Sequence, residues 1–176
     1  GKTYTYGEIK SARITKSMMG KLTIGQATSA MLDMVFEPNG TIPTAAEIKC
    51  YIRLKDYGDV ATDWLPFGTF YIDTRSTDAY GWMTITAYDA MLKAEQDYID
   101  NSGTYPMAMS AAVNYICGKM GVELDSRSQI APYTVDSPTE VYTMREVLCG
   151  IAAASGGNFV ITEEGKLRLI RLASPT

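Results

Sequence analysis

The groups in this chain that could do chemistry are carboxylates, three cysteines and one serine–glycine turn; histidine is absent. Its absence removes the commonest general base, the imidazole zinc ligands and every histidine triad together. Cys50, Cys117 and Cys149 are odd in number and widely spaced. Each sits in an apolar pattern, which fits a small packed side chain better than a disulfide framework or a nucleophile. Asp89 stands where a short helix should begin, so its carboxylate is read as an N-cap and not as a catalytic acid. Asp73 and Asp78 flank a polar stretch that lacks the alternating ligands of a calcium loop, and read as solvated turn residues. Glu163-Glu164 reads as the acidic tip of a hairpin. Ser155-Gly156-Gly157-Asn158 follows a helix instead of opening one and has no lysine at phosphate-loop spacing, so a C-terminal cap explains it. No two acids are selected as a facing pair of the kind sugar hydrolysis needs. The expectation is a non-catalytic chain with no cofactor and no metal site.

Aromatic residues carry the remaining signal. Trp64-Leu-Pro-Phe-Gly-Thr-Phe-Tyr-Ile-Asp73 holds four aromatics, a proline and a glycine in ten residues. Pro66 and Gly68 shape a turn, and Phe70 and Ile72 seek a core. Trp64 and Phe67 are left as anchors for a subunit contact, joined by Tyr71, Trp82 and Tyr88. Met18 and Met19 add an adaptable apolar pair, drawn from ten methionines in 176 residues. Twelve tyrosines point the same way, toward rigid amphipathic contacts.

Composition frames these readings. Hydrophobic residues make up 46% and charged residues 20%, so a packed globular core is expected. The formal charge is -4 and no basic block stands out, which argues against a nucleic-acid partner. No long apolar run and no signal-peptide pattern are present, so membrane insertion is not expected. The start at Gly1 reads as a cut in a longer parent.

The elements that must position these residues follow from periodicity. Tyr4 to Ser17 reads as one or two short strands, and Leu22 to Gly25 as another. Ser29 to Phe36 fits either a short helix or a strand. Glu47 to Lys55 is the clearest strand, with Ile48, Cys50, Ile52 and Leu54 on one face and charges on the other. Tyr57-Gly58-Asp59 is a turn; the strand around Phe70 and Ile72 follows, Asp73 to Gly81 is a loop, and Trp82 to Tyr88 alternates again. A short helix spans Ala90 to Gln96, and a boundary falls between Asp97 and Gly103. Pro106 opens a helix that runs to Met120 with Gly121 as its cap. Its stripe is Ala108, Ala112, Ile116 and Met120, widened by Ala111 and Tyr115. Thr143-Met-Arg-Glu146 matches a capping box, and the helix it starts ends at Ser155-Gly-Gly157. A hairpin follows over Asn158–Ile161 and Leu167–Leu172. This helix and hairpin are expected to pack on the helix ending at Met120. The fold class is therefore α+β. A small antiparallel β-barrel-like lobe spans residues 1–98. An α/β lobe with two helices and a C-terminal β-hairpin spans 99–176.

Three stretches in this order resemble the tail hub, or baseplate hub, proteins of phages and prophages. They are Leu65-Pro-Phe-Gly-Thr-Phe-Tyr-Ile-Asp73, Met83-Thr-Ile-Thr-Ala-Tyr-Asp-Ala-Met-Leu92, and Thr143-Met-Arg-Glu-Val-Leu-Cys-Gly-Ile-Ala152 with Gly157-Asn-Phe-Val-Ile161 and Gly165-Lys-Leu-Arg-Leu169. The resemblance implies a structural component of the virion tail, made in the bacterial cytoplasm. It implies self-association of a full-length parent in a ring, with a trimer as the candidate, and docking to other tail, baseplate or fibre proteins. The alternative reading is a carbohydrate-binding or adhesion module of a cell-surface protein, with Trp64, Trp82 or Tyr71 lining a groove. A third, a peptidoglycan hydrolase, requires a carboxylate pair that the sequence does not select.

Overall fold

The computed structural model describes residues 1–16, 23–56, 60–98, 104–138 and 140–171. Met18, Met19, the turn expected at 57–59 and the stretch 99–103 lie outside the described residues. The chain divides into two compact units: Gly1–Lys16 with Ala30–Asp89, and Ser17–Ser29 with Ala90–Thr176. This partition differs from a single cut after residue 98, because the chain visits the second unit between Lys16 and Ala30.

Unit 1 is a curled antiparallel sheet. Its strands are β1 (Ile9–Lys16), β2 (Ala30–Phe36), β3 (Glu47–Ile52), β4 (Leu65–Thr77) and β5 (Met83–Tyr88), in the spatial order β1-β2-β5-β4-β3. Strict alternation builds its inner face. Ala30, Leu32, Met34 and Phe36 of β2 are buried, as are Ile85 and Ala87 of β5 and Phe70 and Ile72 of β4. The ambiguous stretch 29–36 is thus a strand, because every second residue meets this core. The curl is visible across the sheet. β1 and β4 are separated by two strands, roughly 14 Å in a flat sheet, yet the Lys16 ammonium lies 4.8 Å from the Phe67 ring centre.

Three local expectations change. The loop expected at Asp73 to Gly81 is mostly strand, since β4 continues to Thr77 and pairs with β5. Residues 73–77 are exposed throughout, so no hydrophobic alternation marks them as strand. Asp78 makes the actual turn, its Oδ1 accepting the Tyr80 and Trp82 amides at 2.9 and 3.0 Å. The face predicted for β3 turns inward only at Ile48 and Cys50. Ile52 is 44% exposed and Leu54 78%, because that end of the hairpin runs past the core. Asp89, expected to cap a helix, stands directly before one; its Oδ2 accepts the Ala30 amide at 2.7 Å, and its own amide donates to the Ala30 carbonyl. The segment after it is a 3-10 helix, Ala90–Glu95.

Unit 2 sets one helix against a hairpin and a second helix beside the 3-10 helix. A two-stranded ribbon of β6 (Met107–Ala108) and β7 (Thr134–Val135) precedes and follows helix α1 (Met109–Met120). The helix therefore starts after Pro106, not at it. Ala112, Ile116 and Met120 are buried as expected, together with Val113 and Cys117, whereas Ala108 and Ala111 are exposed. Gly121 caps the helix in the left-handed conformation. Helix α2 (Met144–Ala154) opens with the predicted box: Thr143 accepts the Glu146 amide, and Glu146 accepts the Thr143 amide. Strands β8 (Gly157–Ile161) and β9 (Leu167–Arg171) form the hairpin. Phe159, Leu167 and Leu169 of the hairpin are buried, as are Leu148 and Ile151 of α2. Of the short strand expected at 22–25, Leu22 lies outside the described residues and 23–25 are not strand; the chain bends at Gly25 and then lies parallel to β8, with Ala27 opposite Phe159.

Candidate functional site

The candidate contact residues lie along β4 and its neighbours in unit 1. Trp64, just before β4, is 57% exposed, and the Arg53 guanidinium stacks on it at 4.5 Å. Phe67 is the unmatched residue where the β3–β4 register slips between Cys50 and Tyr51, and is half-buried under Lys16. Tyr71 and Tyr88 face each other directly across β4 and β5. Tyr88 is also opposite Met31, and Tyr71 opposite Glu47. A single row, Thr15–Met31–Tyr88–Tyr71–Glu47, thus crosses the outer face of all five strands. Trp82 immediately precedes β5, which pairs with the far end of β4, and Lys10 lies 5.3 Å from its ring.

This placement separates the aromatics. Trp64 adjoins one end of the 13-residue β4 and Trp82 the other. At about 3.3 Å per residue, roughly 40 Å of strand runs between them. The tryptophans therefore do not line one groove, and each has a cation over its face. The exposed apolar residues gather elsewhere. Tyr51, Ile52, Leu54, Val60, Trp64 and Leu65 are between 44 and 78% exposed, all on the arm where β3 and β4 leave the core. Sequence reasoning singled out only Trp64 of these six. Ile52 and Leu54 had the right period for a core, and nothing local shows that the core ends beneath them.

The chemistry-bearing groups are dispersed. Among the described residues, no three of His, Cys, Asp and Glu gather as a metal site. Burial pushes the Cys117 thiol up to about 11 and raises Cys50 as well, so neither is an activated thiolate. The Asp125 carboxyl is held well below the usual range by the Arg127 side chain and backbone amide, which makes it a turn lock. An open depression of about 310 Å³ is lined by Gly40, Thr41, Ile42, Arg75, Ser76, Thr77 and Met83. It offers no carboxylate, and the Arg75 guanidinium donates to the Ile42 carbonyl in its wall.

Two polar residues in unit 2 organise more of the chain than their sequence context suggests. Arg145 donates to the Ala27 carbonyl at 2.6 Å, the Ser29 hydroxyl at 2.9 Å and the Met91 carbonyl at 3.1 Å, and pairs with Glu95 at 2.6 Å. Asn158, 1% exposed, accepts the Gln26 amide at 2.8 Å and donates to the Thr23 carbonyl at 2.7 Å. Their partners lie far away along the chain, so no local pattern marks either residue.

No family model matches the chain. No curated protein matches it. Among solved structures, it is similar to the crystal structure of the prophage MuSo2 43 kDa tail protein from Shewanella oneidensis, with a TM-score of 0.57 at 15% identity. The match covers 87% of this chain and 49% of that one, so the chain spans about half the length of that protein. At this identity the likeness is one of fold. Among the described residues, no helix is long and apolar enough to cross a membrane.

Proposed function

We propose that this chain is a non-catalytic structural part of a phage or prophage tail, acting at the tail tip or baseplate hub. In this reading a longer parent self-associates as a ring, with a trimer as the candidate, and joins the tail tube to baseplate or fibre proteins. It neither binds nucleic acid nor enters a membrane. The observation that carries the reading is the fold shared with a prophage tail protein over most of this chain. The apolar arm around Trp64 gives it a surface suited to protein contacts, since exposed apolar groupings of this kind mark interaction sites. The sugar-binding alternative loses its main support, because the two tryptophans sit at opposite ends of β4. Immunogold labelling of phage particles induced from the source bacterium, with an antibody raised against this chain, tests the proposal. Label concentrated at the tail tip is expected. Unlabelled particles, with the antigen on the cell envelope, would reject it.

A further inference from the structure

Within unit 2, residues Thr23–Ser29 are held in an unusual manner: among the described residues, nearly every hydrogen bond that holds them goes to their backbone. The Gly25 amide donates to the Gly157 carbonyl at 2.9 Å, the Phe159 amide to Gln26 at 2.8 Å, and the Thr28 amide to Phe159 at 3.0 Å. Asn158 reads the Gln26 amide and the Thr23 carbonyl, and Arg145 reads the Ala27 carbonyl and the Ser29 hydroxyl. Apart from the Ser29 hydroxyl, side chains enter as limits on size. Gly25 has φ +88°, and a Cβ there would come within 2.9 Å of the Ala153 methyl. Ala27 is 5% exposed and is the one buried residue of the seven.

Hydrogen bonds of this kind hold an extended chain in register, but the segment buries almost no apolar side chain to resist opening. The rest of unit 2 is held by Met91, Ile116, Met120, Leu148, Ile151 and Phe159, each fully buried. Local opening follows the weakest set of buried contacts. We infer that residues 23–29 are a releasable strap, and that the β8 edge beneath them, with Arg145 and Asn158, is an acceptor site for an extended peptide strand. The ligand class is a segment with glycine, then alanine two residues on, then serine two further, lying parallel to β8. Recognition is by main-chain bonds, the mode by which peptides add to sheet edges. The chain fills this site in cis.

Two measurements on the full chain decide the matter. In the wild type, hydrogen exchange should show the Gly25, Thr28 and Phe159 amides opening together, at least about tenfold faster than the amides pairing β8 with β9. A common rate for both sets would reject the strap. In Gly25→Val, which displaces the strap but leaves the acceptor residues in place, a synthetic Thr23–Ser29 peptide should shift the amide resonances of Gly157–Phe159. Its expected dissociation constant is on the order of 100 µM, and adding Asn158→Ala should abolish the effect. No shift in folded Gly25→Val at about 1 mM peptide would reject the acceptor site. If Gly25→Val fails to fold, the strap is integral to unit 2 and the inference fails with it.

Discussion

Gly157 has no room for a side chain, since a Cβ there would overlap the Ile170 carbonyl oxygen of the paired strand. Backbone cannot step aside as a flexible side chain can, so Gly157→Ala should cost about 2 kcal/mol. A urea midpoint measurement checks this. Asp125 gives a pH-dependent counterpart. Its carboxyl is depressed by Arg127, so its contribution to stability is fully present above the unfolded pKa of roughly 3.9 and fades as pH falls toward the folded value. Asp125→Asn should therefore be less stable than the wild type at about pH 7, and the gap should narrow as pH falls from about 4 to about 2. A constant gap in urea midpoints between those pH values would contradict this. Neither role is legible in the sequence: Gly157 reads as part of a cap, and no local pattern marks Asp125.

Among the elements, α2 was the most legible. Its start signal is local, because Thr143 and Glu146 satisfy each other's amides within one turn. Thr143→Ala removes one half of the box and should cost about 1 kcal/mol, read as a lower urea midpoint with unchanged slope. Glu146 is held below the usual carboxylate range, first by the Thr143 amide, so part of this stabilisation should also be lost in acid. The end of β4 and the ribbon of β6 and β7 were not legible. Their residues carry no alternation, and their pairing is supplied by a partner strand elsewhere in the chain.

For the whole molecule, the informative contrast lies between core and surface aromatics. Phe70 is 1% exposed at the centre of the unit 1 core, whereas Trp64 and Leu54 are 57 and 78% exposed on the arm. Phe70→Ala should cost about 3–5 kcal/mol. Trp64→Ser and Leu54→Ser should each change folding stability by less than about 0.5 kcal/mol. If the arm is an assembly surface, the same two changes made in the full-length parent should lower the yield of complete tails, counted by electron microscopy. Full assembly with both substitutions would remove the arm from the proposed interface.

The α+β class, the alternating inner faces of β4 and β5, the two long helices and the final hairpin were all legible in the residues. These depend on period and on caps, which act over a few neighbouring positions. Tertiary structure decided the rest: the curl that brings Lys16 over Phe67, the point where the core ends beneath Ile52 and Leu54, and the return of residues 23–29 to β8. Each of those joins residues far apart along the chain. Such contacts form only when the packed whole places both partners within a few ångströms, and no local pattern records that placement.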